Sequence, residues 1–173
     1  MNVNFTTRTF LALSAAGLCL NAAAFAASGV AKVETFSAWT IFADAKVPHE
    51  FCFVTSEPTA SEPQSASRAP PRLYVSAWPK DGVKAEVSFR MGFPVKKASE
   101  SAIHVGDVLF KLFGSDDRIY VNDPTQELKL VDAMKKGADL KAEVTSDRGT
   151  AITDTYSLAG LGQALAKLQD VCF

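Results

Sequence analysis

The densest group of side chains able to bind a metal lies in GSDDRIYVND, residues 114–123. Asp116, Asp117, Asn122 and Asp123 fall within eight positions there. Carboxylate and amide oxygens are ligands for Ca²⁺, but the ligand order of an EF-hand and its terminal glutamate are missing. Asp and Asn are also ordinary turn residues. We therefore predict turns in this segment and no metal site.

Motifs for catalysis or cofactor binding are equally sparse. The sequence contains no H-E-x-x-H pair, Walker loop or Rossmann glycine run. Ser157 has no G-x-S-x-G around it, and His49 and His104 are far apart with no ligand spacing. We predict no catalytic residue and no cofactor. A small hydrolase using buried carboxylates such as Asp107 or Asp154 stays open as an alternative.

Residues 1–26 have the layout of a secretory signal peptide. Arg8 is the single charge, an apolar run from Phe10 to Leu20 follows, and Ala24-Phe25-Ala26 fits the A-x-A cleavage pattern. The apolar run is too short to cross the ~30 Å hydrocarbon core of a membrane. We predict cleavage after Ala26, with the bond after Ala27 as the alternative, and no transmembrane segment elsewhere.

Two cysteines remain in the mature chain. Cys19 leaves with the signal peptide, which leaves Cys52 and Cys172. In an exported protein, two cysteines most simply form one disulfide. Such a bridge would tie the C-terminal helix to an early strand. Free or metal-bound thiols are the alternative, and the C-x-x-C spacing of a redox pair is absent.

The mature chain, 27–173, is long enough for one domain with its own core. Without Arg8, 17 of the 18 basic side chains remain against 19 acidic ones. The chain therefore has no excess of positive charge with which to bind the phosphates of a nucleic acid. We therefore predict a single domain that does not bind nucleic acid.

Period-two alternation predicts mostly strands. In VKAEVSFRM, 83–91, apolar residues alternate with polar ones, and Pro79–Gly82 predicts a hairpin turn to the strand before it. We predict further strands at 33–42, 50–56, 72–78, 101–105, 107–113, 118–121, 138–146 and 150–157. Short strands at roughly ten-residue spacing indicate an antiparallel sandwich or barrel.

Two helices interrupt the strands. For the first, Asp123 is a good N-cap, Pro124 fits the first turn and Gly137 ends the segment. We expect its core face to hold Leu128, Val131 and Met134. For the second, we expect Ser157 to cap a C-terminal helix with an apolar stripe formed by Leu158, Leu161, Leu165 and Leu168.

Segment 57–71, EPTASEPQSASRAPP, differs in composition from the rest of the chain. It is rich in Ser, Pro and Ala and has no large apolar side chain. Because it can bury little surface, we predict a flexible surface loop. A partner-binding arm is the alternative, since Pro-rich segments lose less entropy on docking.

Short motifs from the first predicted strand to the last cysteine are shared with one bacterial family. They are Trp39-Thr40-Ile41, Cys52, Met91-Gly92, Ala133-Met134 with Gly137, Gly149-Thr150, Tyr156-Ser157-Leu158-x-Gly160, Ala164-Leu165 and Cys172. The combination resembles the invasion-associated locus B family of exported proteins. The resemblance implies a mainly β, immunoglobulin-like antiparallel sandwich and supplies no catalytic residue. Larger members carry additional cysteines that this chain lacks.

Together these observations predict a non-enzymatic, exported binding or host-interaction module. We expect it in the periplasm or secreted, with outer-membrane association as an open alternative. The expected partner is an unidentified protein or envelope component, and the surface we expect to carry it includes Trp78, Arg68 and Arg72. The alternatives are the carboxylate hydrolase and a proteinaceous enzyme inhibitor acting through 57–71.

Overall fold

The structure is a computed structural model that describes residues 29–44, 47, 49–64, 68–97 and 101–173. The predicted signal peptide, 1–26, lies outside the described residues.

Strands are the main secondary structure of the described chain. They are β1 (Val30–Phe36), β2 (Trp39–Asp44), β3 (Cys52–Ser56), β4 (Ala60–Glu62), β5 (Arg72–Trp78), β6 (Val83–Arg90), β7 (Ser101–Val105), β8 (Val108–Ser115), β9 (Arg118–Tyr120), β10 (Asp139–Thr145) and β11 (Ala151–Ser157). The helices are α1 (Pro124–Lys136) and α2 (Leu161–Cys172), and a short 3₁₀ turn covers Pro79–Asp81. Neither of the two helices in the described residues is long and apolar enough to cross a membrane.

The strands pair in the order β1-β2-β3-β5-β6-β9-β8-β7-β10-β11-β4. Every pairing is antiparallel. We call β1, β2, β3, β5, β6 and β9 the first half and β7, β10, β11 and β4 the second half; β8 pairs with both β9 and β7. The predicted mainly β antiparallel architecture with a C-terminal helix is confirmed.

The core lies between the two halves. The Phe89 ring in β6 meets the Tyr156 ring in β11 edge-on, with 5.8 Å between their centroids. The Trp39 indole is completely buried, and its Nε1–H donates to the Ser157 carbonyl oxygen at 3.1 Å. These contacts join residues more than 60 positions apart, so the core depends on long-range packing.

The predicted strand 33–42 is wrong as a single element, because two strands occupy this region. β1 and β2 form a tight hairpin in which Phe36 pairs with Trp39. Ser37 takes the turn with φ of 49°, a left-handed conformation that a serine seldom adopts. The local sequence contains no glycine there, which is why the turn was missed.

The predicted cap of the C-terminal helix is also wrong. Ser157 stays in β11 opposite Asp139, and α2 begins after Gly160, which has φ of 88°. A Cβ on Gly160 would lie 2.3 Å from the Phe36 carbonyl oxygen, so only glycine fits this contact. Leu158 therefore precedes the helix, although it is buried as expected.

Helix α1 has the predicted cap but a different buried face. The Asp123 Oδ1 accepts the Gln126 N–H at 2.8 Å. Leu128 is 66% exposed, whereas Leu130, Val131 and Met134 are buried. The inward face follows the spacing i, i+3, i+4, i+7 from Glu127, so it starts one residue earlier than predicted.

Segment 57–71 contains a strand where we predicted only a loop. β4 extends the edge of the second half by pairing with β11, with Asp154 opposite Ser61. The Thr59 N–H also donates to the Thr155 carbonyl oxygen at 2.7 Å. The flexibility of the remainder of this segment stays a prediction.

The Cys52–Cys172 disulfide is present and connects β3 to the end of α2. Helix α2 packs on β2 and β3 and buries Leu161, Ala164 and Leu168 against them. The two cysteines are 120 residues apart in sequence. The bridge therefore closes a long loop and constrains that part of the chain in the unfolded state.

Replacing both Cys52 and Cys172 by serine should lower the free energy of unfolding by at most about 5 kcal/mol, because a loop of this length loses that much entropy on closure. Urea denaturation of the mature protein under oxidising conditions measures the change. Reductant should destabilise the wild type similarly and leave the double variant unaffected. An unchanged midpoint in the double variant would contradict a stabilising role.

Candidate functional site

The outer surface of the first half carries a group of aromatic side chains. In β3 and β5, residues that alternate with the core positions point away from the second half. Aromatic side chains occupy many of these positions, on strands that register places side by side. We call this surface the aromatic face; it is formed by Phe42, Phe51, Phe53, Tyr74, Trp78 and Tyr120.

The rings of the aromatic face contact one another in a chain. Phe42 stacks on Phe53 with centroids 5.2 Å apart, and Phe51 stacks on Trp78 at 4.1 Å. Phe51 and Phe53 are 5.4 Å apart, and Phe53 is 5.7 Å from Tyr74. Stacked and tilted ring pairs of this kind are stabilising and hold each ring in position.

A cleft of about 530 Å³ opens among these rings. Its aromatic walls are Phe51, Phe53, Tyr74, Trp78 and Tyr120. Most of these side chains are partly buried, and Tyr120 is 38% exposed. The cleft is thus a large concave apolar surface open to solvent, the kind of surface that binds ligands.

Polar groups surround the aromatic walls. Ser76 and Ser88 lie on the floor of the cleft, and Glu86, Glu127 and Arg118 lie around it. The Arg118 guanidinium carbon lies 5.5 Å from the centre of the Tyr74 ring, a cation–π distance. The cleft therefore combines ring faces with hydroxyl donors, carboxylate acceptors and one cation.

Glu127 has an unusual electrostatic environment. Burial raises the pKa of its carboxyl above the ordinary value of 4.5. The Val87 N–H, which donates to Oε1 at 2.7 Å, lowers the pKa, and the nearby charge of Glu86 raises it further. The desolvation cost is the largest of the three effects, so the ionised form is disfavoured in the folded protein.

The three residues expected on a partner surface lie in different environments. Trp78 lines the aromatic cleft. Arg72, in β5, forms an exposed ion pair with Glu57. The Arg68 side chain is only 8% exposed and pairs with Asp154, so its charge faces the interior.

Asp154, the buried partner of Arg68, accepts several side-chain hydrogen bonds. Asp154 is fully buried, and its Oδ2 accepts from Arg68 Nη1 at 2.9 Å while Oδ1 accepts from Nη2. The Ser61 hydroxyl donates to Oδ1 at 2.6 Å, and Arg68 also donates to the Met91 carbonyl oxygen at 3.2 Å. This network joins segment 57–71 to the centre of β11.

Tyr156 lies near this network. Burial, and then the charge of Asp154, raise the pKa of its hydroxyl well above the ordinary range. Its oxygen finds no hydrogen-bond partner within the described residues. The phenol is therefore neutral at every physiological pH.

The carboxylates considered for a hydrolase do not form an acid–base pair. Asp107 is exposed in the turn between β7 and β8, while Asp154 is buried and neutralised by Arg68. His49 and His104 are also separate: His49 Nδ1 lies 3.3 Å from the Cys172 carbonyl oxygen, and His104 Nε2 lies 3.6 Å from Glu143. Across the described ranges, no group of three or more His, Cys, Asp or Glu side chains could hold a metal ion.

A family model described as Invasion associated locus B (IalB) protein matches residues 39–169, from the start of β2 into α2. The chain belongs to the IalB family. The predicted resemblance is thereby confirmed over most of the domain. No curated protein sequence matches this IalB chain.

The crystal structure of invasion associated protein B from Bartonella henselae is similar to this IalB fold. The TM-score is 0.57 and the sequence identity 19%, over 79% of this chain and 95% of that chain. At this identity the likeness concerns the fold.

Sequence reasoning selected Trp78 but missed the rest of the cleft. Tyr74 occupies a position that alternates with core residues, as do Phe53 and Tyr120, and alternation alone indicates an ordinary solvated face. The recurrence of aromatic residues at outward strand positions was the one sequence signal for this cleft. Only the cross-strand register, such as Ser88 opposite Tyr120, shows that these positions adjoin.

Replacing Asp154 by alanine should lower the free energy of unfolding by about 3–5 kcal/mol, because Arg68 would stay buried without its counter-ion. Urea denaturation measures the loss. The double variant Arg68→Met/Asp154→Leu should recover most of it, because no buried charge remains. Equal losses in both variants would contradict the ion-pair explanation.

Replacing Glu127 by glutamine should remove a pH-dependent cost. Because its folded pKa is raised, Glu127 contributes most favourably below 4.5, and that contribution is lost as pH rises through the folded pKa. Glutamine can still accept the Val87 N–H. Thermal unfolding should therefore show a larger gain for Glu127→Gln at pH 7 than at pH 4.

The matched control for this measurement is Glu86→Gln, which removes the neighbouring charge on the same face. It should act in the same direction but more weakly, because that charge is the smallest of the three causes. A gain for Glu127→Gln that is the same at both pH values would contradict the assignment.

Proposed function

We propose that the mature protein is an exported, non-enzymatic binding module of the IalB type. It works in the periplasm or outside the cell and binds a component of the cell envelope through the aromatic face. The observation that carries this proposal is the open aromatic cleft around Trp78. Large aromatic side chains that are rigidly held and exposed are the residues that most often dominate binding energy.

Export is supported by two independent features. The N-terminal sequence has a signal-peptide layout. The Cys52–Cys172 disulfide suits an oxidising compartment. The family name refers to invasion, and a host-contact role for this chain would require the domain to lie outside the outer membrane.

A binding role is favoured over the hydrolase by the state of the carboxylates. Asp154 is held by Arg68 and Ser61, with its oxygens already occupied. Glu127 accepts a backbone N–H, and Asp107 lies in an exposed turn. Asp107 and Asp154, the carboxylates considered for a hydrolase, therefore do not present a paired acid and base to a bound substrate.

Replacing Trp78 by alanine should weaken binding of the purified mature protein to isolated cell envelopes by about ten-fold or more, since truncating an aromatic anchor has an effect of that order. Co-sedimentation over a range of envelope concentrations measures the affinity. The control is Leu109→Ala, because Leu109 is a 50% exposed apolar side chain on β8 outside the cleft. Equal affinity of both variants, or no envelope binding by the wild type, would contradict the proposal.

The compartment has its own test. Cells of the source organism are fractionated, and intact cells are treated with external protease. Release of a form starting at Ala27 by osmotic shock, with protection from protease, supports a periplasmic location. Cleavage on intact cells supports a surface location and host contact. Retention of residues 1–26 in the cytoplasm would contradict export.

A further inference from the structure

Three arginines form a row across the aromatic face. Arg72 in β5 lies opposite Arg90 in β6, and Arg90 lies opposite Arg118 in β9. The residues next to them in the strands, Leu73 and Phe89, point into the core. The arginines therefore point outward, on the same surface as the aromatic rings. We call these three residues the arginine row.

The arginine row adjoins the aromatic face directly. The next outward positions, two residues along each strand, are Tyr74, Ser88 and Tyr120, which are also opposite one another. Two positions along a strand are about 6.7 Å apart. A single ligand can therefore touch the rings of one row and the guanidinium groups of the next.

The row is unfavourable for the isolated protein. Like charges directly opposite on neighbouring strands destabilise a sheet. Arg72 pairs with Glu57, Arg90 donates to the Pro70 carbonyl oxygen at 3.1 Å, and Arg118 lies over the Tyr74 ring. Within the described part of the chain, neither Arg90 nor Arg118 forms an ion pair with a carboxylate. The Arg90 Nε–H is buried and finds no acceptor among those residues. Costs of this kind are retained mainly at functional sites.

We propose that the aromatic face binds an acidic oligosaccharide. Its sugar rings lie against Phe53, Tyr74 and Trp78, and a carboxylate or phosphate substituent is held by Arg118 and the rest of the arginine row. This inference rests on the proposed binding function and specifies its ligand class.

Each part of the face matches a part of such a ligand. The negative faces of aromatic rings attract the weakly positive C–H groups of a sugar. Guanidinium groups bind carboxylate and phosphate oxygens through paired hydrogen bonds. Ser76 and Ser88 can donate to or accept from sugar hydroxyls.

The carboxylates of the cleft favour a sugar over an acidic peptide. Glu86 and Glu127 line the same cleft as the aromatic rings, and Glu86 lies in β6 opposite Ser76, toward the other end of the strand from Arg90. Their oxygens accept hydrogen bonds from uncharged sugar hydroxyls. A peptide with acidic side chains along its whole length would place some of them near the Glu86 carboxylate, which repels them.

Tryptophan fluorescence detects the proposed ligand directly. The chain has two tryptophans, and Trp39 is fully buried, so a ligand-induced change reports on Trp78. The probes are tetragalacturonate for a carboxylate, pentamannose 6-phosphate for a phosphate, maltotetraose as a neutral sugar and tetraglutamate as an acidic peptide. We expect at least one acidic sugar to bind, more weakly at higher salt, and maltotetraose and tetraglutamate to bind at least about ten-fold more weakly.

The arginine row is tested by isothermal titration with the acidic sugar that binds. Arg118→Gln should weaken binding by about ten-fold or more, because a charge-assisted contact is lost. Arg148→Gln is the matched control: it removes the same charge from the exposed β10–β11 turn, and its affinity should stay within about two-fold of the wild type. Thermal unfolding checks that both variants are folded.

Each result separates the ligand class from the binding function. Equal binding of neutral and acidic sugars, or equal effects of Arg118→Gln and Arg148→Gln, overturns the role of the arginine row. Binding of tetraglutamate alone overturns the sugar in favour of a peptide. Binding of none of the probes, with Trp78-dependent envelope binding intact, overturns the ligand class and leaves the binding function standing. Loss of envelope binding as well overturns both.

Discussion

Cross-strand register in the first half is the constraint on which both the core and the candidate site depend. Because side chains alternate between faces, the pairing that places Val54 opposite Val75 on the core face also places Thr55 opposite Tyr74 on the other face of the sheet. A slip of one residue would expose the core and bury the aromatic face. The same cross-strand register therefore produces both the core face and the aromatic face.

Two long-range connections hold the less regular segments to this sheet. The Cys52–Cys172 disulfide ties α2 to β3. The Arg68–Asp154 pair ties segment 57–71 to β11, with Ser61 supplying a further hydrogen bond. A buried ion pair adds less to stability than its geometry suggests, since both charges lose water. Its clearest effect is to specify where a Pro- and Ser-rich segment lies.

The two faces of the first half differ in what covers them. The inner face of the first half is packed in the core. The outer face carries an open cleft and the arginine row. Membership of the IalB family agrees with the fold and identifies no chemistry for these residues. The proposed binding role therefore rests on the aromatic face and not on family membership.

Local signals in the sequence determined much of the fold. Alternation located most strands, Asp123 marked the start of α1, and the two cysteines beyond the predicted signal peptide left one intramolecular pairing to consider. These signals can be read from the sequence because strand alternation and helix capping depend on neighbouring residues, and the possible disulfide depends only on the number of cysteines. The hairpin at Ser37 and the start of α2 after Gly160 were not predicted, because packing and not a local motif determines them.

The candidate site was decided by tertiary structure. Arg68 and Asp154 are 86 residues apart, and the three members of the arginine row come from three strands. No local pattern states which strand will lie beside which, or in what register, since these depend on burying the whole core at once. Local patterns therefore indicated most of the elements and the family, whereas only the folded sheet shows that rings, carboxylates and arginines share one face.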